Sequence, residues 1–188
     1  MPGVVPSREI TWFQAAQACA SSGKRLCSNA EWQTAASGTL DPGANDGFRS
    51  SRCNTLAAGP RQTGAAGFEP GSPDGCVSRY GVEDMIGNLW EWTGDWVQAG
   101  MPWMDEPGAS ATPWPDGFGG DGTWNVNGTT TDNRDGAAMH EMGWYDGLPA
   151  VLIRGGNWEQ GERAGIFAVW LADNPSVANW VLGARCCR

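Results

Sequence analysis

Apolar positions recur at helical spacing near the start of this chain and at strand-like spacing near its end, with long unpatterned stretches between. Thr11 and Gln14 form a T-x-x-Q capping box, Trp12, Ala16 and Cys19 follow at helical spacing, and Gly23 can end the helix. Ser28 and Glu31 repeat the box before WQTAASG, which Gly38 closes. The aromatic, β-favouring run GNLWEWTGDW at 87–96 predicts entry into a strand. Further strands are expected at AVLIR (150–154), AGIFAVWLA (164–172) and WVLGARCC (180–187). Residues 39–80 and 97–148 show no sustained period, and their Gly, Pro and Asp content predicts loop. Four tryptophans in the second stretch, at 103, 114, 124 and 144, favour an ordered one. The outline is two helices, a loop-dominated middle and a small antiparallel sheet: an α+β chain.

Composition sharpens this outline. At 188 residues the chain suggests one domain spanning 1–188, long enough for a sizeable core. Its 28 glycines are about twice the usual share of roughly 7%. Twelve tryptophans and 40% apolar residues nevertheless supply the surface that a disordered chain lacks. A formal charge of −9 argues against a nucleic-acid partner, which needs clustered Lys and Arg, and leaves room for a hard cation such as calcium. No apolar run approaches the roughly 20 residues of a membrane span. The abrupt opening MPGVVPSREITW, with no signal-peptide pattern, suggests that a domain or signal has been trimmed from upstream.

Familiar catalytic patterns fail on context. GFGGDG at 117–122 matches G-x-G-x-x-G but follows a Pro-rich stretch and precedes no helix. His140 is the sole histidine, so neither a zincin pair nor a Cys/His finger can form, and no G-x-S-x-G elbow presents a serine. The six cysteines, at 19, 27, 53, 76, 186 and 187, contain no CxxC pair; they allow fifteen full disulfide pairings, or reduced buried thiols. EDMIGNLWEW at 83–92 is the strongest local signal. Asp84 and Glu91 flank a Gly87–Asn88 turn that can aim carbonyls inward, a shell that calcium accepts, although spacing alone favours a capped turn beside a Trp-rich core.

GKRLCSNAEWQTAA, CNT, GVEDMIGNLWEWTGDW, RGGNW and LGAR occur in the order found in formylglycine-generating-enzyme-like domains (the sulfatase-modifying factor type), which the chain resembles over most of residues 8–188, with an atypical insertion at about 97–148. The resemblance implies a C-type-lectin-like fold and a structural calcium site using the side chains of Asp84 and Glu91 and the carbonyls of Gly87 and Leu89. It also implies a disulfide between Cys19 and Cys186, while a Cys53–Cys76 pair is a guess. It does not carry the activity. The oxidases of this family hold two copper-binding cysteines five residues apart after the paired glycines, and those positions hold Gln160 and Gly165 here.

LPAVLIRGGNWEQGERAGIFAVWLADNPSVANWVLGAR resembles, more narrowly, the variable region of diversity-generating-retroelement proteins, placed here at about 154–185. Such proteins display altered side chains on a constant frame. The resemblance implies no catalytic residues, and a protein or cell-surface ligand for a surface-displayed or phage-associated chain. The face residues it implies are Trp158, Glu159, Gln160, Glu162, Arg163, Trp170, Ala172, Asp173, Val177, Asn179 and Trp180, set between frame glycines and Phe167, Val169 and Leu171. Alternation with Phe167 and Val169 turns Trp170 outward, whereas Trp180 is balanced between face and core. Two other readings are an oxidase relative with an altered site and an invariant structural domain of a phage tail or surface protein.

Overall fold

The computed structural model describes residues 3–39, 53–64, 76–98, 149–161, 164–170 and 173–188. Both helices begin where their capping boxes predict. Helix α1 spans Trp12–Ser21 with Thr11 as N-cap, and α2 spans Asn29–Ala36 with Ser28 as N-cap; each box is closed in both directions. Glu31 of the second box also meets Arg25 at 2.6 Å, and the hydrogen bonds from Arg25 and Ser28 hold its carboxyl down at about 2. Between the helices lies the short strand β1, Arg25–Leu26.

Strand β2 (Trp90–Gln98) is the centre of the fold. It pairs antiparallel with β3 (Pro149–Arg154) and parallel with β5 (Leu182–Ala184), and β3 pairs in turn with β4 (Val169–Trp170). The expected antiparallel sheet is therefore mixed. Strand β6 (Cys186–Cys187) leaves this sheet and pairs with β1, Leu26 opposite Cys186. Because β2 is covered on both faces, Trp90, Glu91 and Trp92 are all buried.

The main core packs Ala15 and Cys19 of α1 against Trp90, Trp92, Val151, Ile153 and Leu182. The indole N–H groups find carbonyls: Trp92 donates to Ile10 at 3.0 Å and Trp12 to Thr93 at 2.7 Å. Three disulfides close the frame, Cys19–Cys186, Cys27–Cys187 and Cys53–Cys76, leaving no free cysteine. The reduced-thiol alternative is thereby excluded, and the middle bridge is one the sequence did not single out. Much of the two unpatterned stretches, including the insertion, lies outside the described residues.

Of the strand expected over 164–172, residues 164–168 are turn and irregular chain, and among the described residues Val169–Trp170 alone joins the sheet. Arg154 explains why. Its fully buried guanidinium lies 4.7 Å over the Trp32 ring and donates to the carbonyls of Ile166 at 2.8 Å and Phe167 at 3.4 Å, and to the Gln33 amide oxygen. Those carbonyls are thus turned towards a side chain rather than towards a neighbouring strand. Burial lowers the Arg154 pKa to about 9, still above neutrality.

Candidate functional site

The C-terminal segment leaves β3 through Gly155 and Gly156, both at positive φ (92° and 83°). A Cβ on Gly156 would lie 2.5 Å from the Ala164 Cβ, so the two halves of the loop meet without room for a side chain. Asn157 then turns the chain, its Oδ1 accepting the Glu159 N–H at 2.7 Å. Gly161 donates to Thr55 at 2.8 Å and Ala57 donates to the Trp158 carbonyl at 2.8 Å, pinning this turn to the 53–64 segment. Further on, Asn174 accepts from Ser176 in an Asn-Pro-Ser turn, and the Pro175 carbonyl accepts from Trp12 at the start of α1.

These anchors bring together residues from both arms of the segment. Gln160, Trp170, Asp173 and Asn179 line one cavity of about 110 Å³, with Asn157 beside them and Trp90, Ile153 and Leu182 behind. The Trp90 and Trp170 rings stand 6.2 Å apart at 51°. Burial pushes the Asp173 carboxyl up from its ordinary value, while the neighbouring Trp170 indole favours its charged form. Glu159 and Trp180 face solvent, Trp180 at 48% exposure, which decides its open assignment in favour of the surface.

One face assignment is corrected, and a second residue is shared between face and core. Trp158 is buried at 1% exposure: its ring meets Trp180 at 5.2 Å and carries the Arg8 guanidinium 5.8 Å above it. It is frame because the pinned turn folds it inward. Val177 is half-buried and packs on the main core. Glu162, Arg163 and Ala172, with the frame residue Leu171, lie outside the described residues. Sequence reasoning missed Asn157 as a lining residue and Arg154 as the latch, although RGGNW contains both.

The Asp84 turn has a different chemistry. Arg185 of LGAR donates to both oxygens of Glu91, at 2.8 and 3.0 Å, and to the carbonyl of Glu83 at 3.0 Å; Trp32 donates to Glu91 Oε2 at 2.7 Å. Asp84 sits at φ 58°, with Oδ2 accepting from Gly64 at 2.7 Å. Its Oδ1 is buried without a partner, and burial pushes the carboxyl up to about 6. The carbonyls of Gly87 and Leu89 accept no hydrogen bond from the described residues. Asp84, Leu89 and Glu91 line one cavity of about 230 Å³, although Gly87 does not. This all-oxygen set with an unpartnered buried carboxylate oxygen fits a hard cation, Glu91 being shared with Arg185. Among the described residues no three His, Cys, Asp or Glu side chains gather to hold a metal.

Comparison with known proteins places these features. The chain is 32% identical over 124 residues to inactive C-alpha-formylglycine-generating enzyme 2 of Bos taurus, covering 56% of this chain and 41% of that one. It is 30% identical over 118 residues to the formylglycine-generating enzyme of Thermomonospora curvata, covering 57% and 39%. The match thus spans about two fifths of either relative, and one of the two is named inactive. Among solved structures, the Major Tropism Determinant U1 variant superposes with a TM-score of 0.56 at 21% identity, over 94% of this chain and 36% of that one. Treponema denticola variable protein 1 gives 0.54 at 15% identity, over 97% and 70%. The architecture is the C-type-lectin-like fold. Residues 2–188 match the sulfatase-modifying factor enzyme 1-like domain, and the chain belongs to that family.

Proposed function

We propose that this is a non-enzymatic ligand-binding domain, the variable protein of a diversity-generating retroelement, whose C-terminal segment offers a diversified face on a fixed frame. The observation that carries the reading is the cavity that gathers Gln160, Trp170, Asp173 and Asn179 from both arms of the segment. The residues that hold those arms in place are of another kind: glycines at positive φ, the buried Ala164 and Ala168, and the Arg154 latch. Side chains at the cavity can change while the backbone that carries them stays fixed.

The cysteines support the absence of the family's oxidase chemistry. All six are in disulfides, so no thiolate is left to bind copper, and Gln160 and Gly165 supply none. A protein or cell-surface ligand fits this reading, as does surface or phage-associated display; a Major Tropism Determinant and a variable protein are among the structures sharing the fold. The decisive observation is in the DNA. A reverse transcriptase gene and a near-copy of the segment's coding sequence, differing at adenines, are expected beside this gene, and their absence would remove the diversified form of the proposal.

A calcium ion at the Asp84 turn is part of the same reading, held by Asp84, Glu91 and the Gly87 and Leu89 carbonyls. It would neutralise the unpartnered carboxylate and pin the turn against β2. Chelator is therefore expected to lower the melting temperature, and a hundredfold excess of calcium over its Kd to restore about 2.7 kcal/mol.

Without calcium, the sign of the pH dependence follows from Asp84. Its folded pKa of about 6 lies above the unfolded value, so the native state binds the extra proton between the two. Stability is thus fully present below pH ~4 and falls by about 3 kcal/mol as pH rises through 6, at 1.36 kcal/mol per unit. Denaturant midpoints in chelator should show this slope, and Asp84→Asn should remove it. A slope unchanged in the variant would assign it to other groups.

A further inference from the structure

We infer that the cavity between β4 and the 173–182 arm receives one cationic group, the guanidinium or ammonium head of an arginine or lysine side chain on a protein partner. This rests on the binding-face reading and names the chemistry that the face selects.

Size comes first. At about 110 Å³ the cavity is small, the size of a recess for one polar side-chain head. A guanidinium, with four heavy atoms, fits such a recess. The walls come next. Trp90 and Trp170 both line it, 6.2 Å between centroids and tilted by 51°, and indole rings attract cations more strongly than other aromatic rings.

Charge then selects the ligand. Among the described lining residues Asp173 is the one ionisable group, and no described Lys or Arg forms a salt bridge with it. Arg8 is engaged elsewhere, over Trp158 and on the Trp180 carbonyl at 3.4 Å. Burial strips the Asp173 carboxylate of part of its solvation, with the Trp170 indole beside it, and an entering cation adds a charge-assisted hydrogen bond. The amide oxygens of Asn157 and Asn179 are each fixed by one backbone N–H, at 2.7 and 3.3 Å, and each keeps a second lone pair for a donor. The chain's net charge of −9 draws a cationic partner from a distance.

The test uses the full chain, reading the indole N–H resonances of Trp90 and Trp170. The probes are N-acetyl-arginine amide, N-acetyl-lysine amide, neutral N-acetyl-glutamine amide and methyl glucoside. Saturable shifts are expected with the two cations and not with the neutral probes, weakening as salt rises. Asp173→Asn should weaken cation binding about tenfold or more, and Trp170→Leu likewise, with Trp170→Phe keeping part of it. Two variants of different chemistry guard against one that fails to fold, and melting temperature identifies such a failure. Equal shifts with the glutamine probe, shifts with the glucoside alone, or none at all would overturn the inference. A reverse transcriptase beside the gene together with no cation binding would leave the diversified-face reading standing and remove this one.

Discussion

Replacing all four cysteines of the two C-terminal bridges by serine is expected to cost about 8 kcal/mol by the chain-entropy estimate, against about 3 kcal/mol for losing either bridge alone. The asymmetry follows from topology. Cys19–Cys186 closes a sequence separation of 167 and Cys27–Cys187 one of 160, so either bridge alone already joins the two ends of the chain. With one in place, the other closes a ring of only about ten residues, worth about 3 kcal/mol; the first to form supplies about 5. Loss of both thus exceeds the sum of the single losses by about 2 kcal/mol, and comes close to the whole stability of an ordinary domain. Denaturant midpoints of the two double-serine variants and the quadruple variant decide the point. Simple additivity would show that the bridges do not share one loop. A binding face open to substitution needs such a reserve, because most substitutions destabilise.

How much of this was legible in the sequence depended on whether a local signal or a long-range contact decided each feature. The helices were legible because a capping box lies within four residues and competes with nothing distant. The Cys19–Cys186 bridge came through resemblance, and Cys27–Cys187 was missed, although adjacent cysteines that cannot readily pair with each other point to two separate partners. The alternation of Phe167, Val169 and Leu171 fits a strand over 164–172, but the Arg154 side chain that draws the Ile166 and Phe167 carbonyls aside belongs to another strand. The place of Trp158 between frame residues points to the face. Its burial comes from bonds to Thr55 and Ala57, about a hundred residues earlier in the chain, which no periodicity records. Gln160, Trp170, Asp173 and Asn179 do line a shared cavity, and Asn157 joins them through a turn that no sequence pattern marks.

Gly156→Ala is expected to be the most damaging single methyl addition to the segment, at about 3–5 kcal/mol, summing the cost of left-handed backbone for a non-glycine and of overpacking. The position has φ 83°, and the new Cβ would lie 2.5 Å from the Ala164 Cβ and 2.6 Å from its Cα. Neither arm can yield easily, since Gly155 donates to Ala168, Gly165 donates to Gly155, and the Arg154 latch holds the following carbonyls. Adding Ala164→Gly should recover only part of the loss, because the Ala164 Cα and the backbone strain remain. The same loop carries Asn157 and Gln160 into the cavity, so a folded fraction of Gly156→Ala should also bind weakly whatever ligand the parent binds. Gly161→Ala provides the contrast: its φ is 56°, but among the described residues the added Cβ meets nothing nearer than Leu56 at 3.7 Å, so about 1–2 kcal/mol of backbone strain is the expected cost. Melting curves showing equal losses at the two positions would mean that the collision with Ala164 does not set the shape of the face.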